Sequence, residues 1–221
     1  MLSETSEWYE VDQIPADGST AQGWVDRDDL HDPNWVLQRA ETRDFRFRAD
    51  LASFDPTEDD SVLLAIEVLD KSGARIQVLR DIEADAVPIP PEDHISLVDA
   101  NFDGFPDIMA TGLPDQNGGP NFTHNIFLFD PVRRRFVFEP TLSELPRISF
   151  DGKRRTVHSV YRKGAHNYSS QTFRYFNKTL TLVGTREEIL SVDGEWFFAT
   201  IGRLHKGKMR YHNRRTRAHR H

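Results

Sequence analysis

Short runs of β-branched and aromatic residues, separated by turn signals, recur along this sequence, whereas few stretches sustain a helical period. This pattern predicts an all-β chain. Candidate strands are 61–70, 74–79, 94–99, 106–111, 124–130, 135–139, 155–162, 170–177, 179–185 and 195–202. The dipeptides Ser72-Gly73, Asn177-Lys178 and Asp193-Gly194 are predicted hairpin turns. We therefore expect an antiparallel meander, and the pattern leaves a propeller-like, sandwich or barrel arrangement open.

The composition favours a folded domain over a disordered or membrane-spanning one. The chain has 221 residues, of which 38% are hydrophobic, enough to fill a core. No run of 18 apolar residues is present, and no membrane span is expected. The chain has no cysteine, so disulfides, thiolate zinc sites and cysteine nucleophiles are excluded. The first residues lack the basic and apolar regions of a secretory signal.

The chain is expected to have three regions. In residues 1–42, Trp8-Tyr9-Glu10-Val11 and Gly23-Trp24-Val25-Asp26 resemble the closing strands of a bacterial SH3-like domain. This segment is either a remnant of such a domain or an aromatic hairpin, with 31–42 as a linker. Residues 43–202 are expected to form the main domain. Within it, residues from Thr141 to Leu145 are expected to form one helical turn. Residues 203–221 are expected to be a solvated basic tail.

Charge is divided unevenly between the tail and the rest of the chain. Residues 203–221 carry eight Lys or Arg and no acid, leaving 20 basic and 35 acidic side chains in the first 202 residues. An acidic body repels nucleic acid and favours a basic partner. Nucleic acid is therefore not an expected ligand.

The strongest local motif is the D-x-N-x-D-G-x-x-D string from Asp99 to Asp107. Calcium takes six to eight oxygen ligands, and alternate positions of a tight loop converge on one point. The motif predicts a Ca²⁺ site, whose ligands are Asp99, Asn101, Asp103, Asp107 and the carbonyl group of Phe105. Gly104 permits the sharp turn.

The flanking segments of this motif indicate the role of the metal. Segments 94–98 and 108–110 have strand character and Ala110 occupies the twelfth position, so we expect a strand–loop–strand site rather than an EF-hand. No water-activating group lies at a suitable spacing, and we expect a structural ion. An acidic turn that is stabilised by its own hydrogen bonds is the alternative.

Six further motifs follow the loop in order. They are Gly118-Gly119-Pro120-Asn121, Phe127-Leu128-Phe129-Asp130-Pro131, Arg135-Phe136-Val137-Phe138, Leu142-Ser143-Glu144-Leu145, Arg162-Lys163-Gly164-Ala165 and Tyr168. Together they resemble a bacterial family of small, β-propeller-like periplasmic proteins. Known members are immunity proteins that block lysozyme-like effectors of type IV or type VI secretion systems. The resemblance covers about residues 60 to 190.

The resemblance implies a non-catalytic protein that plugs the active site of a cognate peptidoglycan hydrolase. It implies a periplasmic location, a lipid anchor or signal in the precursor, and a monomer or a heterodimer with the effector. The loop between strands 155–162 and 170–177 is the candidate plug. Its partner-binding residues are Arg162, Gly164, His166, Asn167 and Tyr168, with tyrosine as the anchor.

A second class of function stays open. No nucleophile elbow, phosphate loop, dinucleotide fingerprint or zinc pair is present, although a carboxylate pair for glycoside hydrolysis is compatible with the many acids. The alternative is therefore a calcium-stabilised module that binds cell-wall carbohydrate, or a propeller-type hydrolase. It predicts an aromatic-lined groove.

Overall fold

The computed structural model describes residues 33–52, 60–114, 120–164 and 167–218, and the backbone alone of residues 8–13 and 21–26. The chain divides into two units, Met1–Asn34 and Trp35–His221. In the first unit, strands β1 (Trp8–Gln13) and β2 (Ala21–Asp26) pair antiparallel, with Trp8 opposite Asp26. No helix in the described part of the chain is long and apolar enough to cross a membrane.

The second unit consists of three antiparallel sheets, each a meander of strands consecutive in the chain. The first sheet contains β3 (Trp35–Glu41), β4 (Phe45–Ala52), β5 (Val62–Asp70) and β6 (Arg75–Leu79). The middle sheet contains β7 (Ile95–Val98), β8 (Asp107–Thr111), β9 (His124–Asp130) and β10 (Arg135–Phe138). The last sheet contains β11 (Ser149–Asp151), β12 (Thr156–Arg162), β13 (Asn167–Phe176), β14 (Thr179–Leu190), β15 (Trp196–His205) and β16 (Lys208–Arg217).

Two short helices join these sheets. A 3-10 helix, Pro91–Asp93, precedes the middle sheet, and α1 (Pro140–Ser143) follows it. The all-β antiparallel meander predicted from the sequence is confirmed, and so is the helical turn near residue 141.

The middle sheet is buried on both faces because its side chains alternate with the two-residue period of a strand. Phe127 packs in a core shared with the first sheet, and Ile126 packs in a second core shared with the last sheet. The first core contains Phe45, Phe47, Ala49, Leu51, Leu63, Ile66, Val68, Leu79, Ile95, Ile108, Ala110, Phe127 and Phe136. The second contains Ala100, Phe102, Ile126, Leu142, Ile148 and Val157.

Two regional expectations differ from the structure. Residues 35–41, within the segment expected to be a linker, form β3, and the two units meet between residues 34 and 35. Residues 208–217, expected to be a solvated tail, form β16 and pair with β15 along their whole length. Main-chain pairing builds this strand, because nearly all of its side chains are exposed and carry no apolar alternation.

Candidate functional site

The loop from Asp99 to Pro106 connects β7 to β8, so the D-x-N-x-D-G motif has the predicted strand flanks. Gly104 has a φ of 92°, the conformation for which the motif requires glycine. Phe102 also has a positive φ, of 61°, which is unfavourable for a bulky residue. Its ring is buried in the second core, and this burial offsets the backbone strain.

Side-chain oxygens of the loop accept hydrogen bonds from its own backbone. The Asp99 carboxylate accepts the N–H of Asp103 at 2.9 Å and that of Gly104 at 3.0 Å. The Asn101 Oδ1 atom accepts the same Asp103 N–H at 2.9 Å, and Asp103 accepts the N–H of Phe105 at 2.9 Å. The bonds that Asn101 and Asp103 accept from residues two positions on are Asx turns, whereas the Asp99 bonds come from four and five positions on. Together these bonds gather three oxygen-bearing side chains around one tight bend.

Asp107 has a different environment from the other acids of the loop. Its side chain is fully buried, and its two oxygens accept the N–H groups of Ala100 and Phe129, each at 2.8 Å. Burial raises the pKa of Asp107 to about 6, the two N–H donors oppose this rise, and the charges of Asp103 and Asp99 add to it. Asp107 therefore ties the loop to the neighbouring strand β9.

The donor chemistry of the loop suits Ca²⁺, since its groups are carboxylate and amide oxygens. Asp99, Asn101 and Asp103 are joined to one another and to the same turn, and each oxygen retains a lone pair. No three His, Cys, Asp or Glu side chains among the described residues converge closely enough to hold a metal by themselves. A Ca²⁺ shell here needs Asn101, backbone carbonyl groups and water as well.

The predicted partner-binding loop is the hairpin between β12 and β13. Arg162 lies opposite Tyr168 in the strand register, and the Lys163 N–H donates to the carbonyl of Asn167 at 2.9 Å. Gly164 has a φ of 90°, which favours glycine at this bend. The predicted contact residue His166 lies outside the described residues.

Asn121, which the sequence analysis did not single out as functional, fixes the base of this hairpin. Its Nδ2 atom donates to the Arg162 carbonyl at 2.9 Å, and its Oδ1 atom accepts the Arg162 N–H at 2.8 Å. The two residues are 41 positions apart in the chain, so no local sequence pattern predicts the contact. This paired amide acts like an additional strand residue and holds the backbone at the start of the hairpin.

Arg162 and Tyr168 present one combined surface beside the hairpin tip. The Arg162 guanidinium lies over the Tyr168 ring, 5.4 Å from its centroid, and the Nε atom donates to the Gly164 carbonyl at 3.1 Å. Stacking on an aromatic face holds a guanidinium in place without removing its charge. Tyr161 precedes Arg162 in β12, so its side chain points to the opposite face of the sheet.

The metal-loop motif and the hairpin lie at opposite ends of β13. Phe102 of the loop has its ring centroid 6.5 Å from that of Tyr175, whereas Tyr168 is near the other end of the strand. The seven residue steps from Tyr168 to Tyr175 span roughly 23 Å of extended chain. The structure therefore does not join the two predicted sites into one.

Comparison with known proteins gives a likeness in fold. No protein-family model matches the chain, and no curated protein matches it. A solved structure described as "Structure of a Xanthomonas Type IV Secretion System related protein" is similar, with a TM-score of 0.60 and 18% sequence identity. The match covers 82% of this chain and 94% of the other. At this identity the likeness concerns the fold.

Removal of the Asp107 carboxylate tests its role as an anchor. We expect Asp107→Ala to lower the free energy of unfolding by about 3 kcal/mol, because two buried N–H groups lose their acceptor, and Asp107→Asn by about half of that. Urea unfolding in the presence of a chelator measures both changes without any contribution from metal. The exposed Asp44→Ala is the control, and an equal effect at both positions would contradict the anchor.

Proposed function

We propose that the protein is an immunity protein of a bacterial secretion system, which binds a secreted lysozyme-like hydrolase and blocks its active site. The observation that carries this proposal is the shared fold with a protein described as related to a Xanthomonas type IV secretion system. The ordered motifs of residues 60–190 support the same family. In this proposal the protein acts by binding rather than catalysis, in the periplasm, where peptidoglycan hydrolases meet their substrate.

The hairpin at 162–168 has the chemistry that such inhibition requires. Glycoside hydrolases generally place two carboxyl groups beside the bond that they cleave. Arg162 and Lys163 bring positive charge to the hairpin, and the Tyr168 hydroxyl is a hydrogen-bond donor. A carboxylate in the groove of the hydrolase is a suitable acceptor for these groups.

The rigidity of the hairpin base favours binding. The Asn121 amide holds Arg162, and Arg162 in turn lies against Tyr168. Ordering of side chains on association opposes binding by roughly 0.5–1.5 kcal/mol for each long side chain, so groups fixed beforehand lose less. An aromatic anchor with only two rotatable bonds adds to this advantage.

The proposal is tested by mixing the protein with a lysozyme-like hydrolase encoded in its gene neighbourhood, where that neighbourhood holds one. We expect a complex that co-elutes in size-exclusion chromatography, and loss of peptidoglycan hydrolysis at equimolar protein. Tyr168→Ala should weaken inhibition by at least about tenfold, because truncation of an interface tyrosine typically removes more than 1.4 kcal/mol. Tyr168→Phe isolates the hydroxyl group.

Tyr161→Ala is the matched control, since this tyrosine lies on the adjacent strand but faces the other side of the sheet. It should inhibit like the unmodified protein. Undiminished hydrolysis in a mixture without a complex would end the immunity proposal. Full inhibition by Tyr168→Ala would instead place the interface elsewhere.

We further propose that the Asp99–Asp107 loop binds Ca²⁺ as a structural ion. Asp99, Asn101, Asp103 and the Phe105 carbonyl would hold it. Asp107, which the motif predicts as a further ligand, would instead hold the loop backbone, because both of its oxygens accept N–H groups. The ion would neutralise neighbouring carboxylates that otherwise repel one another. The Asx turns of Asn101 and Asp103, the Asp99 hydrogen bonds and the positive φ of Gly104 support this site, since they already hold the chain in a tight bend.

Calcium addition should raise the melting temperature of the protein after treatment with a chelator. A ligand present at 100 times its dissociation constant stabilises the folded state by about 2.7 kcal/mol. Asp99→Asn and Asp103→Asn should lose most of the calcium-dependent shift, while the exposed Glu144→Gln keeps it. A melting temperature that is unchanged by calcium in the unmodified protein would refute the site.

A further inference from the structure

A groove of about 820 Å³ lies beside the Asp99–Asp107 loop. Its walls are residues 101–105 of that loop, the β9–β10 turn and the β13–β14 turn. Ligand pockets commonly have volumes of roughly 300–1,000 Å³, so this groove has room for several linked rings. It is far from the 162–168 hairpin, since its last wall adjoins the opposite end of β13.

The groove exposes apolar surface that the core does not use. Phe105 is 41% exposed, and its ring packs at 5.8 Å from that of Phe129 with a tilt of 52°. Leu128, which is partly buried against the second core, also lines the groove, and Val132 at the rim is 92% exposed. Aromatic and aliphatic groups that share a concave surface mark a binding site better than scattered exposed residues do.

A buried hydroxyl group lies at the same groove without a hydrogen-bond partner. The Tyr175 Oη atom is inaccessible to solvent and bonds to no described residue. Burial, followed by the charges of Glu139 and Asp107, raises the pKa of Tyr175 above its ordinary value. The hydroxyl group therefore stays neutral, and Glu139, whose charge contributes to this rise, lines the groove with a carboxylate that can accept hydrogen bonds from a ligand.

The charges around the groove cancel. The carboxylates are Asp103, Asp130 and Glu139, and the cations are Arg133, Arg155 and Lys178. While the loop holds no ion, a phosphate or an acidic peptide would meet as many repulsive as attractive charges here. A ligand without net charge avoids this repulsion while it uses both the acceptors and the donors.

We propose that this groove binds a neutral oligosaccharide. Sugar rings have apolar C–H faces, which would pack on Phe105 and the adjoining apolar wall. Sugar hydroxyl groups both donate and accept hydrogen bonds. They can therefore donate to the carboxylates of the rim and accept from its amides and cations. The open shape of the groove suits a linear chain of sugars. This site is independent of the inhibitory hairpin, and either one stands without the other.

Titration with chitotetraose and cellotetraose tests the proposal, with the whole protein in a chelator so that no ion adds charge to the groove. We expect saturable binding by calorimetry, with an affinity that changes less than about twofold between low and high salt, because a neutral ligand is not screened. Amide resonances of residues 101–103, 105, 128–130, 132–133 and 177–178 should shift. An anionic hyaluronan tetrasaccharide should bind more weakly than both neutral sugars.

Two substitutions locate the site. Phe105→Ala should weaken binding by about tenfold through loss of the stacking surface, and the isosteric Glu139→Gln several-fold through loss of a charged acceptor. Phe122→Ala is the control, since Phe122 is a similarly exposed phenylalanine that does not line the groove. Circular dichroism establishes that each variant is folded.

Three results would overturn the proposal. They are the absence of saturable binding for both neutral sugars, tighter binding of the anionic sugar than of the neutral ones, and equal affinity of Phe105→Ala and Phe122→Ala. Loss of sugar binding would leave inhibition of the hydrolase intact, and loss of inhibition would leave sugar binding intact. The two proposals therefore fail separately.

Discussion

Burial of the middle sheet on both faces is the constraint on which the rest of the structure depends. In β9, Phe127 contributes to the core with the first sheet and Ile126 to the core with the last sheet. A strand alternates its side chains between two faces, so a slip of one residue would exchange every side chain between the two cores. The register of β9 is therefore fixed from both sides. Because the register of β9 is fixed, the loops that join the strands at the ends of this sheet are fixed in position too.

Asp107 extends this constraint to the metal-loop motif. Burial of a carboxylate destabilises a fold unless hydrogen bonds satisfy its oxygens. Here both oxygens accept backbone N–H groups, and neither group belongs to β7 or β8. One of these groups belongs to β9 and the other to the start of the loop. The position of β9 consequently determines the position of the loop, with or without an ion. This gives the loop a structural role that the motif alone does not reveal.

Prediction from sequence succeeded where a strand buries an apolar face or ends in a turn with strong residue preferences. β9 was predicted at its observed limits, and Asn177-Lys178 forms the expected turn with positive φ at both residues. In β4, the alternation of Phe45, Phe47, Ala49 and Leu51 with polar residues was a readable signal that the predicted strands left out. In β3 only Gln38 is buried, and no apolar period exists there. Strand β16 depends on pairing with β15, which its sequence does not encode locally.

The same reasoning separates the predictable from the unpredictable parts of the candidate sites. Residues close in the chain, such as Asp99 to Asp107, were identifiable as a turn because the turn and its oxygen-bearing side chains share one short segment. Asn121 was not identifiable as a support for Arg162, since their contact joins distant segments. The sequence placed Arg162 and Tyr168 in the same loop, but it did not predict that they stack. The stacking follows from the strand register, which places the two residues opposite each other.

The separation of the sites along β13 limits what a bound ion can do for partner binding. β13 pairs with β14 along its whole length and with β12 from Tyr168 to Phe173, and it connects the loop end to the hairpin end as one continuous strand. An ion at the loop would stabilise Phe102 against Tyr175, but it would not contact the hairpin roughly 23 Å away. Its effect on inhibition would then arise from the stability of the whole domain. The groove shares residues 101–105 with the loop, so sugar binding is the activity in which an ion would act locally.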